Sequence, residues 1–133
     1  MAQNKFHGIL VNMAFTDGSF PVQFELFAQK AAGDWILYGV EISRERLDQA
    51  ITQIQTNMRE DEPFYAHFYD DELLVVIFKN KVFRVTSHAS SWDEILRFGK
   101  ELNIPMEQLD FWPNRFQDEP HYFEPASFTQ QNS

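Results

Sequence analysis

The stretch FYAHFYDDELLVVIFKNKVFRVT, residues 64–86, constrains this chain more than any other, because apolar side chains fall on both faces of any strand pairing drawn through it. Side chains alternate across a strand with a period of two, so an antiparallel sheet with one wet face reads as apolar-in and polar-out. The run LLVVIF does not alternate. Strands near 64–69, 73–79 and 82–87, with a three-residue loop at Asp70-Asp71-Glu72 and a turn at Asn80-Lys81, put Phe64, Ala66, Phe68, Leu74, Val76, Phe78, Phe83 and Val85 on one face. The reverse face then carries Tyr65, His67, Tyr69, Leu73, Val75, Ile77, Val82, Arg84 and Thr86. An even-length first loop would exchange Tyr65 and His67 with the first set. In either register the second face is an apolar patch on the order of a few hundred Å², which monomers rarely leave open. Something must cover it: the C-terminal segment, a second copy of the chain, or a different protein or ligand.

The first third predicts a second meander. Asp17-Gly18 is a two-residue hairpin signal, and centring a hairpin there sets Ile9, Val11, Met13 and Phe15 opposite Leu26, Phe24, Val22 and Phe20. A three-residue loop Ala31-Ala32-Gly33, with Lys30 opposite Asp34, extends the apolar face through Ile36, Tyr38, Val40 and Ile42. A helix follows over 43–59, with Ser43 as N-cap and Leu47, Ile51, Ile54 and Met58 on its inner stripe. Pro63 ends it. A second helix begins at SSWDEILRFGKEL, with Ser90 or Ser91 as cap, Glu94 completing a capping box with Ser91, and Trp92, Ile95, Leu96 and Leu102 inside.

The expected fold is therefore α+β: two three-stranded antiparallel meanders each followed by a helix, βββα-βββα, with both helices on one side of the sheet. Residues 1–109 make one domain. Residues 110–133, with Phe111, Trp112, Phe116, Tyr122, Phe123 and Phe128, make an acidic aromatic segment that packs on the domain or on a partner. At 133 residues the chain is long enough to bury roughly two-thirds of its unfolded surface in one core.

Charge and motif content exclude several functions. The net charge is −9, from 20 acidic and 11 basic residues, and residues 101–133 carry six acidic groups and only Arg115. Such a surface repels phosphate and lacks the basic footprint of a nucleic-acid binder. It suits solubility, or steering toward a basic protein. With no Cys there is no disulfide, thiolate nucleophile or Cys-ligated zinc. The five glycines are isolated, so no phosphate-binding loop is present, and no GxSxG elbow occurs. No export signal or membrane span is read from the sequence, and a cytoplasmic location is expected.

Candidate chemistry is sparse. His67 with Asp70 or Asp71, joined by His88, could bind a metal or do acid-base work, but a carboxylate-rich turn at the end of an aromatic sheet face explains the same residues. The motif DEPHYFE gathers Asp118, Glu119, His121 and Glu124, which reads first as solvated charge around a docked aromatic segment. His7 is placed as an edge histidine opposite Ala28. Glu25, Glu41 and a small patch of Phe27, Trp35 and Leu37 fall on the outer face of the first meander.

The expected function is a non-enzymatic protein-interaction module of the adaptor, inhibitor or chaperone type, with no cofactor and no metal. Its interaction surface is Tyr65, His67, Tyr69, Leu73, Val75, Ile77, Arg84, Trp112 and Phe116. The partner is a protein or a second copy, a homodimer being one such arrangement, and neither nucleic acid nor membrane. The alternative is a small enzyme or ligand-binding domain that uses His67 and Asp70 or Asp71 in a sheet-face pocket.

Overall fold

The computed structural model of the chain describes residues 5–105, 109, 111, 115–119 and 123. It is a mixed α+β structure. In chain order the elements are β1 (Lys5–Val11), β2 (Glu25–Ala32), β3 (Trp35–Ser43), α1 (Leu47–Asn57), β4 (Tyr65–Tyr69), β5 (Leu73–Phe78), β6 (Lys81–Thr86) and α2 (Asp93–Glu101). The strands form one six-stranded sheet in the order β2-β3-β1-β4-β5-β6, antiparallel throughout. No described helix is long and apolar enough to cross a membrane.

The first three strands are not the expected meander, because β1 does not pair with β2. It lies between β3 and β4, with Phe6 opposite Ile42 and Ile9 opposite both Gly39 and His67. The Asp17-Gly18 hairpin fails for a local reason. The Asp17 carboxylate accepts the backbone N–H and the hydroxyl of Ser19, at 2.9 and 2.7 Å, and its carbonyl accepts the Phe20 N–H, at 2.9 Å. That closes a side-chain turn in place of a ladder. Pro21 then opens a 3-10 turn over Phe20–Gln23, where a strand would need an N–H that proline lacks. Phe15 and Phe20 fold back with ring centroids 4.6 Å apart and join the core beneath α1.

The helices cover opposite faces, which corrects the expectation that they share one. Phe6, Leu10, Tyr38, Val40, Ile42, Ala66, Phe68, Val75 and Ile77 point to the face where α1 supplies Leu47, Ala50, Ile51 and Ile54. On the other face Tyr69, Leu74, Val76 and Phe78 meet Trp92 and Ile95 at α2, with Ile104, Leu109 and Phe111 beyond it. Further along that face Ile9 and Ala28 pack with Phe123. The cause is β5, in which every residue from Leu74 to Phe78 is at most 1% exposed. A strand apolar on both sides needs a layer on each.

Registers differ from expectation in small steps. Tyr69 pairs with Leu74, so the β4–β5 connection has an even length and Tyr65, His67 and Tyr69 share the α2 face with Leu74, Val76 and Phe78. The Asp70 carboxylate fixes this loop by accepting the N–H groups of Glu72 and Leu73 at 3.1 and 2.8 Å, and Asp71 takes a left-handed φ of 82°. The β5–β6 turn is Lys79-Asn80, which shifts the register by two residues and keeps every side chain on its face. Between β2 and β3 the turn is Gly33-Asp34, with Gly33 at φ 64°, and a bulge between Leu26 and Ala28 sends Phe27 to the α2 face. The expected apolar row Ile36, Tyr38, Val40 and Ile42 does lie on the α1 face.

Neither expected serine cap forms. Arg44–Arg46 make a 3-10 turn before α1, and the Ser43 hydroxyl accepts no capping bond. The Ser91 hydroxyl donates to the His88 carbonyl at 2.8 Å, and α2 begins after Trp92, whose indole N–H donates to the Thr86 carbonyl.

Gly8 marks the tightest point of the sheet centre. A Cβ there would stand 2.4 Å from Phe68 Cδ1 and 2.9 Å from the His67 carbonyl oxygen, too near for the ring and backbone to ignore. Gly8→Ala should cost about 1–3 kcal/mol by urea denaturation, the range for overpacking a core. Gly18→Ala, whose nearest contact would be 3.7 Å, should change stability by less than about 0.5 kcal/mol. Equal effects at the two positions would show that Phe68 does not lie over Gly8.

Candidate functional site

The interaction residues expected from the sequence do not share a surface. Val75 and Ile77 are buried under α1. Tyr65, His67 and Tyr69 lie on the opposite face, where Phe111 approaches the Tyr65 and His67 rings at 5.2 and 6.5 Å. Leu73 is 41% exposed at the start of β5. Arg84 is exposed on β6 and pairs with Asp48 at 2.9 Å. Phe116 is half-buried, edge-on to the His7 ring at 4.7 Å, and its N–H donates to Asp71 at 2.7 Å. Trp112 lies outside the described residues. The set divides in two among the described residues: Tyr65, His67, Tyr69 and Phe116 form a row of ring contacts on the α2 face, while Leu73, Val75 and Arg84 border a cleft of about 240 Å³ that Phe6, Arg44, Leu47 and Asp48 complete.

The proposed His67 chemistry is not assembled either. His67 is on the α2 face, whereas the Asp70 carboxylate binds Arg44, whose guanidinium sits over the Phe6 ring on the α1 face. His88 is exposed beyond the end of β6. Burial raises the Asp70 carboxyl, but the Leu73 N–H, Arg44 and the Glu72 N–H together hold it below the ordinary carboxylate range. Among the described residues no group of three or more His, Asp or Glu side chains is placed to hold a metal ion. Of the DEPHYFE motif, Asp118 and Glu119 are buried, while His121 and Glu124 lie outside the described residues.

The densest polar cluster centres on His7, which sequence reasoning had placed as an edge histidine. Because β1 is the third strand of the sheet, His7 is flanked by Glu41 on β3 and Tyr69 on β4, each directly opposite it in register. From above, the turn Phe116–Asp118 delivers Glu119. His7 Nδ1 lies 2.6 Å from Glu119 Oε2 and Nε2 lies 2.9 Å from Glu41 Oε1. Tyr69 donates its hydroxyl to the same Glu119 oxygen, and Lys5 approaches Glu41 at 3.2 Å. Phe27, turned onto this face by the β2 bulge, stacks on the imidazole at 4.1 Å.

Each ring nitrogen of His7 is thus set against one carboxylate, and the ring is held between two strands and the C-terminal segment. The His7 hydrogen bond is the main influence holding Glu41 below its ordinary value, against burial and with help from Lys5. Burial, then the Glu119 charge, pushes the Tyr69 hydroxyl far up, so it stays a donor. Both nitrogens of His7 are engaged within the cluster. The cluster ties three strands to a segment 112 residues away. That separation is why the sequence did not disclose it: nothing near His7 names Glu119 as its partner.

Comparison with protein-family models, with curated proteins and with solved structures finds no match.

The cluster sets a pH dependence. Glu41 is depressed in the folded state, so its pairing adds stability above its ordinary value of 4.5 and loses it as pH falls through the lower folded value. Glu41→Gln should be less stable than the wild type by about 1 kcal/mol at neutral pH, and urea midpoints of the two should converge as the pH falls below the ordinary value of 4.5. A gap that stays constant from neutral to acid pH would show that Glu41 is not held by His7.

Proposed function

We propose that this chain is a non-enzymatic protein-interaction module of the adaptor, inhibitor or chaperone type. The observation that carries the reading is where its chemically capable groups are spent. His7, Glu41, Tyr69 and Glu119 bind one another, as do Asp70 and Arg44. Among the described residues no buried side-chain nitrogen or oxygen lacks a hydrogen-bond partner. Catalytic groups need a lone pair, a proton or an open coordination position directed at a substrate. These point at each other and hold the fold.

What faces outward is charge. A net −9 on a chain of this size raises encounter rates with a basic partner and repels an acidic one, an effect that salt screens. β2 and β6 stand at the two edges of the described sheet, where a partner strand could extend it. A second copy of the chain counts among the partners this reading admits.

Affinity capture on the intact, immobilised chain from extracts of its own cells, followed by light scattering of the reconstituted complex, tests this. The expected result is a stoichiometric complex, with another protein or with itself, that weakens as salt rises from about 0.05 to 0.5 M. A chain that stays monomeric over the whole range and captures no stoichiometric partner overturns the reading.

A further inference from the structure

Where the chain leaves α1 it runs through Arg59-Glu60-Asp61-Glu62-Pro63 before entering β4. This segment faces the β5–β6 turn and the last turn of α2 across a cleft of about 530 Å³. The floor is aromatic. Phe98 of α2 stands edge-on to Phe78 at 4.8 Å, and Phe64 and Leu102 complete the apolar lining. Phe64 and Phe98 are each half-buried, so their rings reach the opening. α2 is stopped at this point by Asn103, which takes a left-handed φ of 68° as the Ile104 N–H returns to the Gly99 carbonyl at 3.0 Å.

The rim is acidic. Glu60, Asp61, Glu62 and Glu101 line the cleft, against Arg59 and Lys79. Both cations are turned to internal use. The Lys79 ammonium donates to the carbonyls of Gln55 and Met58 at the C-terminal end of α1, 2.8 Å from each, where the helix dipole favours positive charge. Arg59 is held by Asp61 at 2.6 Å and by Glu62 at 3.3 Å. Asp61 and Glu62 are paired with Arg59, and Glu60 and Glu101 keep the rim negative beside Phe64 and Phe98.

We propose that this cleft is the docking site for a basic segment of a partner protein: a large apolar side chain seated on Phe64 and Phe98, flanked by lysine or arginine side chains that meet Glu60 and Glu101. Charge complementarity selects this occupant. An acidic peptide or a nucleic acid would bring like charge to the rim, and the Leu73 cleft, where Asp48 and Asp70 already pair with Arg84 and Arg44, has no comparable imbalance. The inference rests on the interaction-module reading and adds to it the place and the chemistry of the partner.

The test uses three fluorescein-labelled peptides on the full chain, read by anisotropy: one of lysine and leucine, one with glutamate for lysine, and one of lysine alone. The lysine–leucine peptide should bind, the glutamate peptide should not, and loss of the leucines should weaken binding about tenfold or more. The double variant Glu60→Lys/Glu101→Lys should weaken it by about tenfold. Glu25→Lys/Glu45→Lys makes the same change in net charge at exposed positions away from the cleft and should have little effect; circular dichroism checks that both variants fold. If the two double variants weaken binding equally, or if the lysine peptide binds as tightly as the lysine–leucine peptide, only overall charge is at work and the cleft assignment falls. If a partner captured by the wild type is retained undiminished by Glu60→Lys/Glu101→Lys, the cleft is wrong while the interaction reading stands. A wild type that captures no partner and binds no peptide overturns both.

Discussion

Everything in this structure depends on β1 being a central strand. It takes hydrogen bonds from β3 on one side and β4 on the other, and so fuses strands from the two halves of the chain into one sheet. A strand in that position is buried on both faces, with Phe6 and Leu10 toward α1 and Ile9 and His7 toward the opposite side. Its neighbours must therefore approach closely, which is why position 8 has no side chain and Phe68 lies against it. The two helices follow from the same condition. A sheet whose central strands are apolar on both faces is stable only as the middle of three layers, and α1 and α2 supply the outer two.

The α2 layer is shorter than the sheet it must cover, and the C-terminal segment makes up the difference. Phe111 extends the cluster around Trp92 and Ile95, and Phe123 closes over Ile9, Ala28 and Gly39. The hydrophobic contact of these rings is not directional. The His7 cluster gives it direction, because an imidazole ring fixed between strands has its two nitrogens at set positions, one for Glu119 and one for Glu41. The segment is thereby registered on the sheet by polar contacts while its stabilisation comes from its aromatics.

The sequence disclosed elements better than partners. The inner stripe of α1 at Leu47, Ile51 and Ile54, the inward row of β3, and the need to cover both faces of β5 could all be read from periodicity, since each depends only on local spacing. The strand order could not. Asp17-Gly18 carries the composition of a hairpin, and what cancelled it was the Asp17 side chain turning onto Ser19 together with Pro21 downstream, a competition between local bonds that composition does not rank. The face of His67 turned on one residue of loop length at Asp70–Leu73, set by the Asp70 carboxylate capping two N–H groups. The His7 partnership joins residues 7 and 119, and no spacing rule reaches that far. The cleft beside Glu60 and Glu101 was missed for a different reason. Pro63 in its wall was read only as the end of a helix, and its aromatic lining is assembled from Phe64 and Phe98, which lie on separate elements.

The division between inside and outside polar groups bears on what the molecule can do. Inside, each carboxylate faces a cation, an N–H or a hydroxyl: Glu119 faces His7 and Tyr69, Glu41 faces His7 and Lys5, Asp70 faces Arg44 and two amides. Their partners damp what these carboxylates contribute to the field around the protein. The effect of exposed carboxylates outside the molecule is strongest where they stand over low-dielectric apolar surface. At the mouth of the cleft between residues 59–64 and the end of α2, the half-buried Phe64 and Phe98 rings lie beside Glu60 and Glu101. An approaching cation meets less screening there than at an open acidic surface, so the same number of charges attracts it more strongly.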